Sequence, residues 1–170
     1  NCSVTGVPPR FWINAAIEPD GGIPGRELAA RGVEVESRLV GPQLSLDAAD
    51  ELVAAAAGRT HVLVWAFVRV TASKGRADMD ATHAELLRRL AGPGPPLVVV
   101  SYGSPYLLAQ FPEVPAYVCA YGYDAASQRA AIAALFGEQP VTGKLPVSIP
   151  GLAAIGDGVE LPRRGLELVA

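Results

Sequence analysis

The sequence predicts an α/β domain built on one doubly wound, mainly parallel sheet of five to six strands, with helices on both faces. Two observations lead to this prediction. Apolar segments of strand length alternate along the chain with segments of helical periodicity, which is typical of βαβ units. Residues 62–68 and 97–100 are continuously apolar, as expected of central parallel strands that are covered on both faces. A length of 170 residues suits one such domain.

In the first half of the chain, turn and capping residues mark the ends of the predicted elements. Gly32 is placed to end a short helix, and Gly41-Pro42 breaks an outer strand. Ser45 is a natural N-cap for a helix that Gly58 ends. The predicted elements are strand 11–17, turn 19–25, helix 26–31, strand 33–40, helix 46–57 and strand 62–68.

In the second half, a proline- and glycine-rich run at residues 92–96 separates an amphipathic helix from the next buried strand. Asp124 is suited to cap an alanine-rich helix. The predicted elements are helix 79–90, strand 97–100, strand 116–120, helix 125–136 and strand 146–149. The residues after 150 are rich in glycine and only weakly patterned.

The composition argues against several classes of partner. The net charge of −3 and the pI near 5.4 do not fit a nucleic-acid-binding protein, which normally carries a basic patch. No run approaches the roughly 18 apolar residues of a membrane helix, and no signal-peptide pattern opens the chain. Cys2 and Cys119 are too few for a disulfide framework, and we expect Cys119 to be a buried thiol. Because the chain begins with Asn1 rather than Met, we expect it to be a piece of a longer protein.

Ser104 lies in a setting that invites comparison with a nucleophilic serine. A nucleophile elbow has small residues on both sides of the serine and uses the following backbone N–H as an oxyanion donor. Here Pro105 follows, which has no N–H and is common at the first position of a helix. We therefore interpret Ser104 as a helix N-cap.

The other polar candidates also have structural interpretations. His61 and His83 lack partners at a metal-ligand spacing, so no metal site is predicted. The turn at residues 20–25 lacks G-x-G-x-x-G, and no cofactor is predicted. Asp78 and Asp80 precede a helix, where carboxylates stabilise the helix start. The sequence thus predicts no catalytic residue, and whether the isolated chain is an enzyme stays open.

Several short motifs follow one another between residues 97 and 150: G-S-P-Y-L-L at 103–108, A-Y at 120–121, L-F-G-E at 135–138 and G-K-L-P-V at 143–147. In order and spacing they resemble the C-terminal α/β domain of family 3 glycoside hydrolases. Residues 79–87 resemble a helix of that domain, with His83 where glutamine is usual, and residues 149–159 resemble its closing segment. The resemblance implies a flavodoxin-like sandwich over residues 1–150. It also implies a surface tail, residues 151–170, that packs on this domain or on a missing barrel.

In that family, the nucleophile is an aspartate on an N-terminal (β/α)₈ barrel. Glucosidase-like members take an acid/base glutamate from a loop of the C-terminal domain, but the matching loop here, residues 67–78, contains no glutamate. N-acetylhexosaminidase-like members use a histidine of the barrel instead. The resemblance therefore implies an accessory domain of a retaining enzyme that cleaves β-linked glucosides or N-acetylglucosaminides, with the barrel of the same polypeptide as its partner. Arg69, Lys74 and Arg76 of the loop are the candidate substrate-binding residues.

Two other functions remain as alternatives. A self-sufficient serine hydrolase would need a Ser/His/acid set, for which neither histidine has a suitable setting. A stand-alone α/β binding or assembly module without catalysis would show an apolar patch or a basic rim, which a sequence does not display. The identity of the sugar and the oligomeric state stay open. So does the localisation, with export of the parent protein to the periplasm or the medium as one alternative.

Overall fold

The computed structural model describes residues 12–16, 22–68 and 79–164. Within these ranges, five strands form one sheet in the order β2-β1-β3-β4-β5, and every neighbouring pair is parallel. This is the strand order of flavodoxin-like sheets, and it confirms the predicted doubly wound α/β class. The strands are β1 (Trp12–Ala16), β2 (Ser37–Leu39), β3 (Val62–Phe67), β4 (Leu97–Ser101) and β5 (Tyr117–Cys119).

Helices cover both faces of the sheet. One layer contains α1 and α4, which contact each other, and the opposite layer contains α2 and α3, which also contact each other. A short 3₁₀ helix, Pro105–Gln110, connects β4 to β5. The α-helices are α1 (Gly22–Ala30), α2 (Leu46–Ala56), α3 (Ala81–Leu90) and α4 (Ala125–Leu135).

The two faces of the sheet bury separate apolar cores. Val64 and Val99 point into the core beneath α2 and α3, together with Leu107 and Phe111, and all four are fully buried. Trp65 and Val100 belong to the core beneath α1 and α4. Since fully burying one such side chain contributes about 1.5–3 kcal/mol, the continuously apolar β3 and β4 are the centre of the fold.

Side-chain caps hold the helix starts where the sequence predicted them. Ser45 accepts a hydrogen bond from the backbone N–H of Ala48, and Asp124 accepts from those of Ala126 and Ser127. Asp80 caps α3, which therefore begins at Ala81, two residues after the predicted start. The capping interpretation of Asp80 is confirmed, and Asp78 lies outside the described residues.

The first helix is longer than predicted. α1 begins at Gly22, four residues before the predicted start at Arg26. Pro24 is tolerated because it stands in the first turn, where backbone N–H groups need no helical partner. The predicted helix end is confirmed, since Gly32 adopts a φ of 72°.

The predicted outer strand 33–40 is wrong in its length. Only Ser37–Leu39 pairs with β1, and all three residues of this β2 are exposed. Val33 and Val35, whose alternation suggested a strand, instead pack as loop residues against the core beneath α1 and α4.

The predicted final strand 146–149 is also wrong as a strand of the sheet. Within the described residues, Ile149 pairs with Ala153 in an antiparallel bridge, and Val141 pairs in the same way with Leu161. Leu145 adds two backbone hydrogen bonds, to Asp157 O and from Gly156 N, each of 2.8 Å. We call residues 141–161 the closing hairpin. Proline at 146 and 150 suits an irregular hairpin better than a ladder strand because proline donates no hydrogen bond.

Candidate functional site

Ligands and partners of doubly wound sheets bind beside the carboxyl ends of the strands. The described part of this edge consists of the segments that follow β4 and β5. Three exposed tyrosines stand there, and we call them the rim tyrosines: Tyr106, Tyr121 and Tyr123, with exposed fractions of 47%, 45% and 55%. Strands β1 and β3 also end at this edge, and residues 17–21 and 69–78, which follow them in the sequence, lie outside the described residues.

The segment after β4 is held close to the end of β3. The Tyr102 backbone N–H donates to Ala66 O over 2.9 Å. A Cβ at Gly103 would lie 2.8 Å from Val68 O, so this position admits only glycine. The Tyr102 ring is buried and stacks on Phe67 with 4.6 Å between ring centroids. Its hydroxyl has no hydrogen-bond partner in the described structure, and burial raises its pKa.

Ser104 is a cap rather than a nucleophile. Its Oγ accepts a hydrogen bond of 3.3 Å from the backbone N–H of Tyr106, at the start of the 3₁₀ helix. Neither histidine is near it. His61 directly precedes β3, at the opposite edge of the sheet, and His83 Nε2 bonds to Gly41 O over 2.9 Å on α3. The predicted N-cap interpretation is confirmed, and no Ser/His pair exists among the described residues.

The segment after β5 contains a strained turn. Gly122 N donates to Ala120 O over 2.6 Å, which closes a three-residue turn with Tyr121 at its centre. Tyr121 has a φ of 60° and is the only non-glycine residue at positive φ in the described part of the chain. A γ-turn of this hand is rare and strained, and side chains at positive φ cost about 1–2 kcal/mol. The surrounding structure therefore holds Tyr121 outward against a local preference.

Half-buried side chains connect the segments after β4 and β5 beneath the rim tyrosines. The Tyr117 hydroxyl donates to Ser104 O over 3.4 Å, and Cys119 Sγ lies 3.7 Å from Gly103 O. Burial raises the pKa of the Cys119 thiol, so this free cysteine is protonated at neutral pH and is a poor nucleophile. The sequence predicts a buried thiol at Cys119, and the structure shows this side chain half-buried.

The N-terminus of α4 opens onto the same edge, but the Asp124 carboxylate already occupies it. Asp124 Oδ1 accepts from two backbone N–H groups, and Oδ2 accepts from Ser127 Oγ over 2.7 Å. These hydrogen bonds hold the pKa of Asp124 below its usual value. Gln128 Nε2 donates to Tyr123 O over 2.8 Å, which fixes the backbone of one rim tyrosine. This helix start therefore orders the edge and leaves no free anion site.

The L-F-G-E motif lies at the other end of α4 and has a structural role. Glu138 receives two hydrogen bonds from the Arg31 guanidinium, of 2.6 and 2.7 Å, and Glu27 receives a third. The guanidinium also lies 5.5 Å from the centre of the Phe136 ring. The pairing lowers the pKa values of both carboxyl groups. These contacts join α1 to the turn after α4.

The residues that the sequence selects differ from those that the structure describes at this edge. The candidate substrate-binding residues Arg69, Lys74 and Arg76 lie outside the described residues. The described ranges contain no cluster of three or more potential metal ligands, and none of their helices is long and apolar enough to cross a membrane. The rim tyrosines were not selected, although one signal was available. All five tyrosines of the chain fall between residues 102 and 123.

Fold and site together define a doubly wound α/β domain with an aromatic carboxyl edge. The family model of the glycosyl hydrolase family 3 C-terminal domain matches residues 13–160, and the chain belongs to this family. The predicted resemblance is thereby confirmed. No curated protein matches the sequence.

Solved structures share the fold at low sequence identity. A glycoside hydrolase family 3 beta-N-acetylglucosaminidase from Paenibacillus sp. str. FPU-7 is 19% identical with a TM-score of 0.63, and the match covers 76% of this chain and 25% of that one. The beta-glucoside phosphorylase BglX is 19% identical with a TM-score of 0.52, and the match covers 81% and 26% of the two chains. This chain therefore spans about a quarter of the length of these relatives.

Proposed function

We propose that this chain is the accessory C-terminal domain of a retaining family 3 glycoside hydrolase, and that its carboxyl edge faces the catalytic barrel of the same polypeptide. In this assignment the nucleophilic aspartate belongs to the barrel. The domain borders the cleft in which a β-linked glucoside or N-acetylglucosaminide binds. The family match supports the assignment.

The observation that carries the proposal is the strained, exposed Tyr121 between two further exposed tyrosines. Backbone strain in a non-glycine residue is kept where it serves a site. Tyrosine is enriched at protein interfaces because it buries a large rigid surface and retains a polar tip. A row of such side chains at the edge where doubly wound sheets meet their ligands suits contact with a neighbouring domain or with a sugar.

Two features favour an N-acetylglucosaminide as the substrate. The loop at residues 67–78 contains no glutamate to act as the acid/base of glucosidase-like members. A family 3 beta-N-acetylglucosaminidase is also among the proteins that share this fold. Arg69, Lys74 and Arg76 remain proposed contacts to sugar hydroxyls, because they follow in the sequence directly after β3, which ends at this edge.

The test compares the natural full-length polypeptide with and without residues 1–170, on p-nitrophenyl β-N-acetylglucosaminide and on the β-glucoside. We expect the N-acetyl sugar to be preferred, and the isolated chain to hydrolyse neither substrate. Turnover by rigorously repurified residues 1–170 would overturn the accessory role. A preference for the β-glucoside with an absolute requirement for this domain would mean that it supplies an acid/base group, and a full-length polypeptide without glycosidase activity would favour a binding or assembly module.

A further inference from the structure

The closing hairpin is fixed by its own hydrogen bonds. Its backbone pairs join residues 141 with 161, 145 with 157 and 149 with 153, so one antiparallel register runs through it. Side chains strengthen it further. Ser148 Oγ accepts from Ile155 N over 2.9 Å, and Asp157 Oδ2 accepts from Ala154 N over 2.7 Å. Residues 151–161, the part of the predicted surface tail that belongs to this hairpin, thus follow a fixed hydrogen-bond register.

The two arms of the hairpin differ in burial. On the outgoing arm, Ile149 is buried and the alternate apolar residues before it are partly covered. On the return arm, nearly every residue from 151 to 161 is exposed. Four large aliphatic side chains stand in solvent there: Leu152 (45% exposed), Ile155 (66%), Val159 (70%) and Leu161 (48%).

The chemistry that the return arm presents is aliphatic. Its two carboxylates are engaged within the hairpin, Asp157 with Ala154 N and Glu160 with the Lys144 ammonium at 2.8 Å. Four exposed aliphatic side chains within ten consecutive residues of an ordered scaffold are more than the scattered single ones of an ordinary surface, and they suit a docking segment. A surface that contacts the return arm therefore needs to be apolar and needs no charged partner group.

The small size of the surface decides between two occupants. A stable complex of independent chains buries about 800 Å² on each partner, which is more than four aliphatic side chains provide. A domain of the same polypeptide faces the hairpin at an effective concentration in the millimolar range, so a small surface suffices. Enzymes with this fold contain such further chain, since the match covers only 25% of the beta-N-acetylglucosaminidase.

We propose that the return arm of the closing hairpin docks through Leu152, Ile155, Val159 and Leu161 onto an apolar surface of the catalytic domain in the same polypeptide. The identity of that domain rests on the proposed function. The contact itself involves different residues from the rim tyrosines. The hairpin thereby acts as a second attachment of the accessory domain.

The test is the accessibility of single cysteines to a maleimide, read peptide by peptide by mass spectrometry. Val159→Cys and Ile155→Cys are compared with Leu39→Cys, which is 64% exposed on the edge strand β2. Each variant is labelled in residues 1–170 alone and in the natural full-length polypeptide. We expect labelling at 155 and 159 to slow at least about tenfold in the full-length polypeptide, since burying one aliphatic side chain corresponds to such a factor, and labelling at 39 to be unchanged.

Equal labelling rates at 155 and 159 in both proteins would overturn the docking. Protection that already appears in the isolated chain and increases with its concentration would overturn it as well, because the occupant would then be a second copy. Protection in a full-length polypeptide that shows no glycosidase activity would overturn the proposed function and with it the identity of the occupant, while the aliphatic docking surface would stand.

Discussion

At the scale of single residues, Tyr121 shows how a side chain is held at an edge by its surroundings. A Cβ at the next position, Gly122, would lie 2.6 Å from Ser127 Oγ and 2.8 Å from Asp124 Oδ2. The chain must therefore pass close to the start of α4 directly after β5. Tyr121, directly before this close passage, adopts its positive φ there, and its side chain remains 45% exposed.

The first prediction separates the strain at Tyr121 from its contacts. In isolated residues 1–170, we expect Tyr121→Gly to raise the free energy of unfolding by about 1 kcal/mol, because glycine adopts positive φ without steric cost. Tyr121→Ala keeps the backbone strain and should leave stability nearly unchanged. Urea unfolding measures both.

In the full-length polypeptide, both Tyr121 variants should lower kcat/KM for the β-N-acetylglucosaminide, with Leu39→Ala as the exposed control. Full activity of a stabilised Tyr121→Gly enzyme would show that the strain has no function at this site.

Residue-level prediction succeeded where the determining interaction is local. Ser45, Ser104 and Asp124 cap helices within three residues of themselves, so sequence alone located them. Tyr121 was not selected as a site because positive φ is signalled in a sequence by glycine or asparagine, and tyrosine gives no such signal. The bond from His83 to Gly41 spans 42 residues and leaves no local pattern.

At the scale of elements, the 3₁₀ helix Pro105–Gln110 determines the geometry between β4 and β5. Leu107 and the following Phe111 are fully buried, while Tyr106 points into solvent. Gln110 holds the segment before α3 as well, since its side chain exchanges hydrogen bonds of 2.7 and 3.1 Å with the backbone of Met79. The element joins the rim to the core beneath α2 and α3.

The second prediction concerns the cap of this helix. We expect Ser104→Ala to lower the free energy of unfolding of residues 1–170 by about 0.5–1 kcal/mol through loss of the bond to Tyr106 N. Ser104→Asn keeps a capping acceptor and should retain most of the stability that Ser104→Ala loses. Chemical unfolding measures both variants. Neither change should alter turnover by the full-length enzyme. Loss of turnover at unchanged stability would instead support Ser104 as a nucleophile.

Elements were predictable where their apolar pattern is complete within one segment. The apolar pattern of each of β3, β4, α2 and α4 lies within one continuous segment. The predicted ends of these elements agree with the structure within one or two residues. The closing hairpin was not foreseen. Its paired residues lie up to 20 residues apart, and prolines at 146 and 150 interrupt the segment. The sequence therefore shows neither a strand period nor the pattern of a two-residue turn. The proposed contacts of Arg69, Lys74 and Arg76 stay predictions.

At the scale of the whole molecule, the Arg31 network joins the first helix to the end of the last one. The Arg31 and Glu138 side chains are 18% and 35% exposed, so water screens the pair only in part. Hydrogen bonding to Arg31 lowers the pKa of Glu138 in the folded protein. The stabilisation is therefore complete at neutral pH and is lost as the pH falls below the unfolded value of about 4.5 toward the folded one.

The third prediction follows from that direction. We expect Glu138→Gln to lower the free energy of unfolding of residues 1–170 by about 1 kcal/mol at pH 7, given its partial exposure. The difference in the free energy of unfolding between this variant and the unmodified chain should become smaller as the pH falls below about 4.5. Glu160→Gln removes an exposed ion pair and is the matched control. It should change neither the free energy of unfolding at pH 7 nor its dependence on pH. A Glu138 gap that stays constant down to pH 3 would contradict the assigned cause.

The strand order has a consequence for where this domain can be cut. β1, although the first of the described strands, lies inside the sheet, and β2 pairs with β1 alone among them. Trimming the chain past residue 16 would therefore release β2 as well and turn the central strand β3 into a bare edge. That edge would present unpaired backbone groups beside Val64, Trp65 and Ala66, which are fully buried in the intact sheet, and exposed apolar edges recruit other chains. By pairing with both β2 and β3, β1 therefore keeps this edge from pairing with other chains.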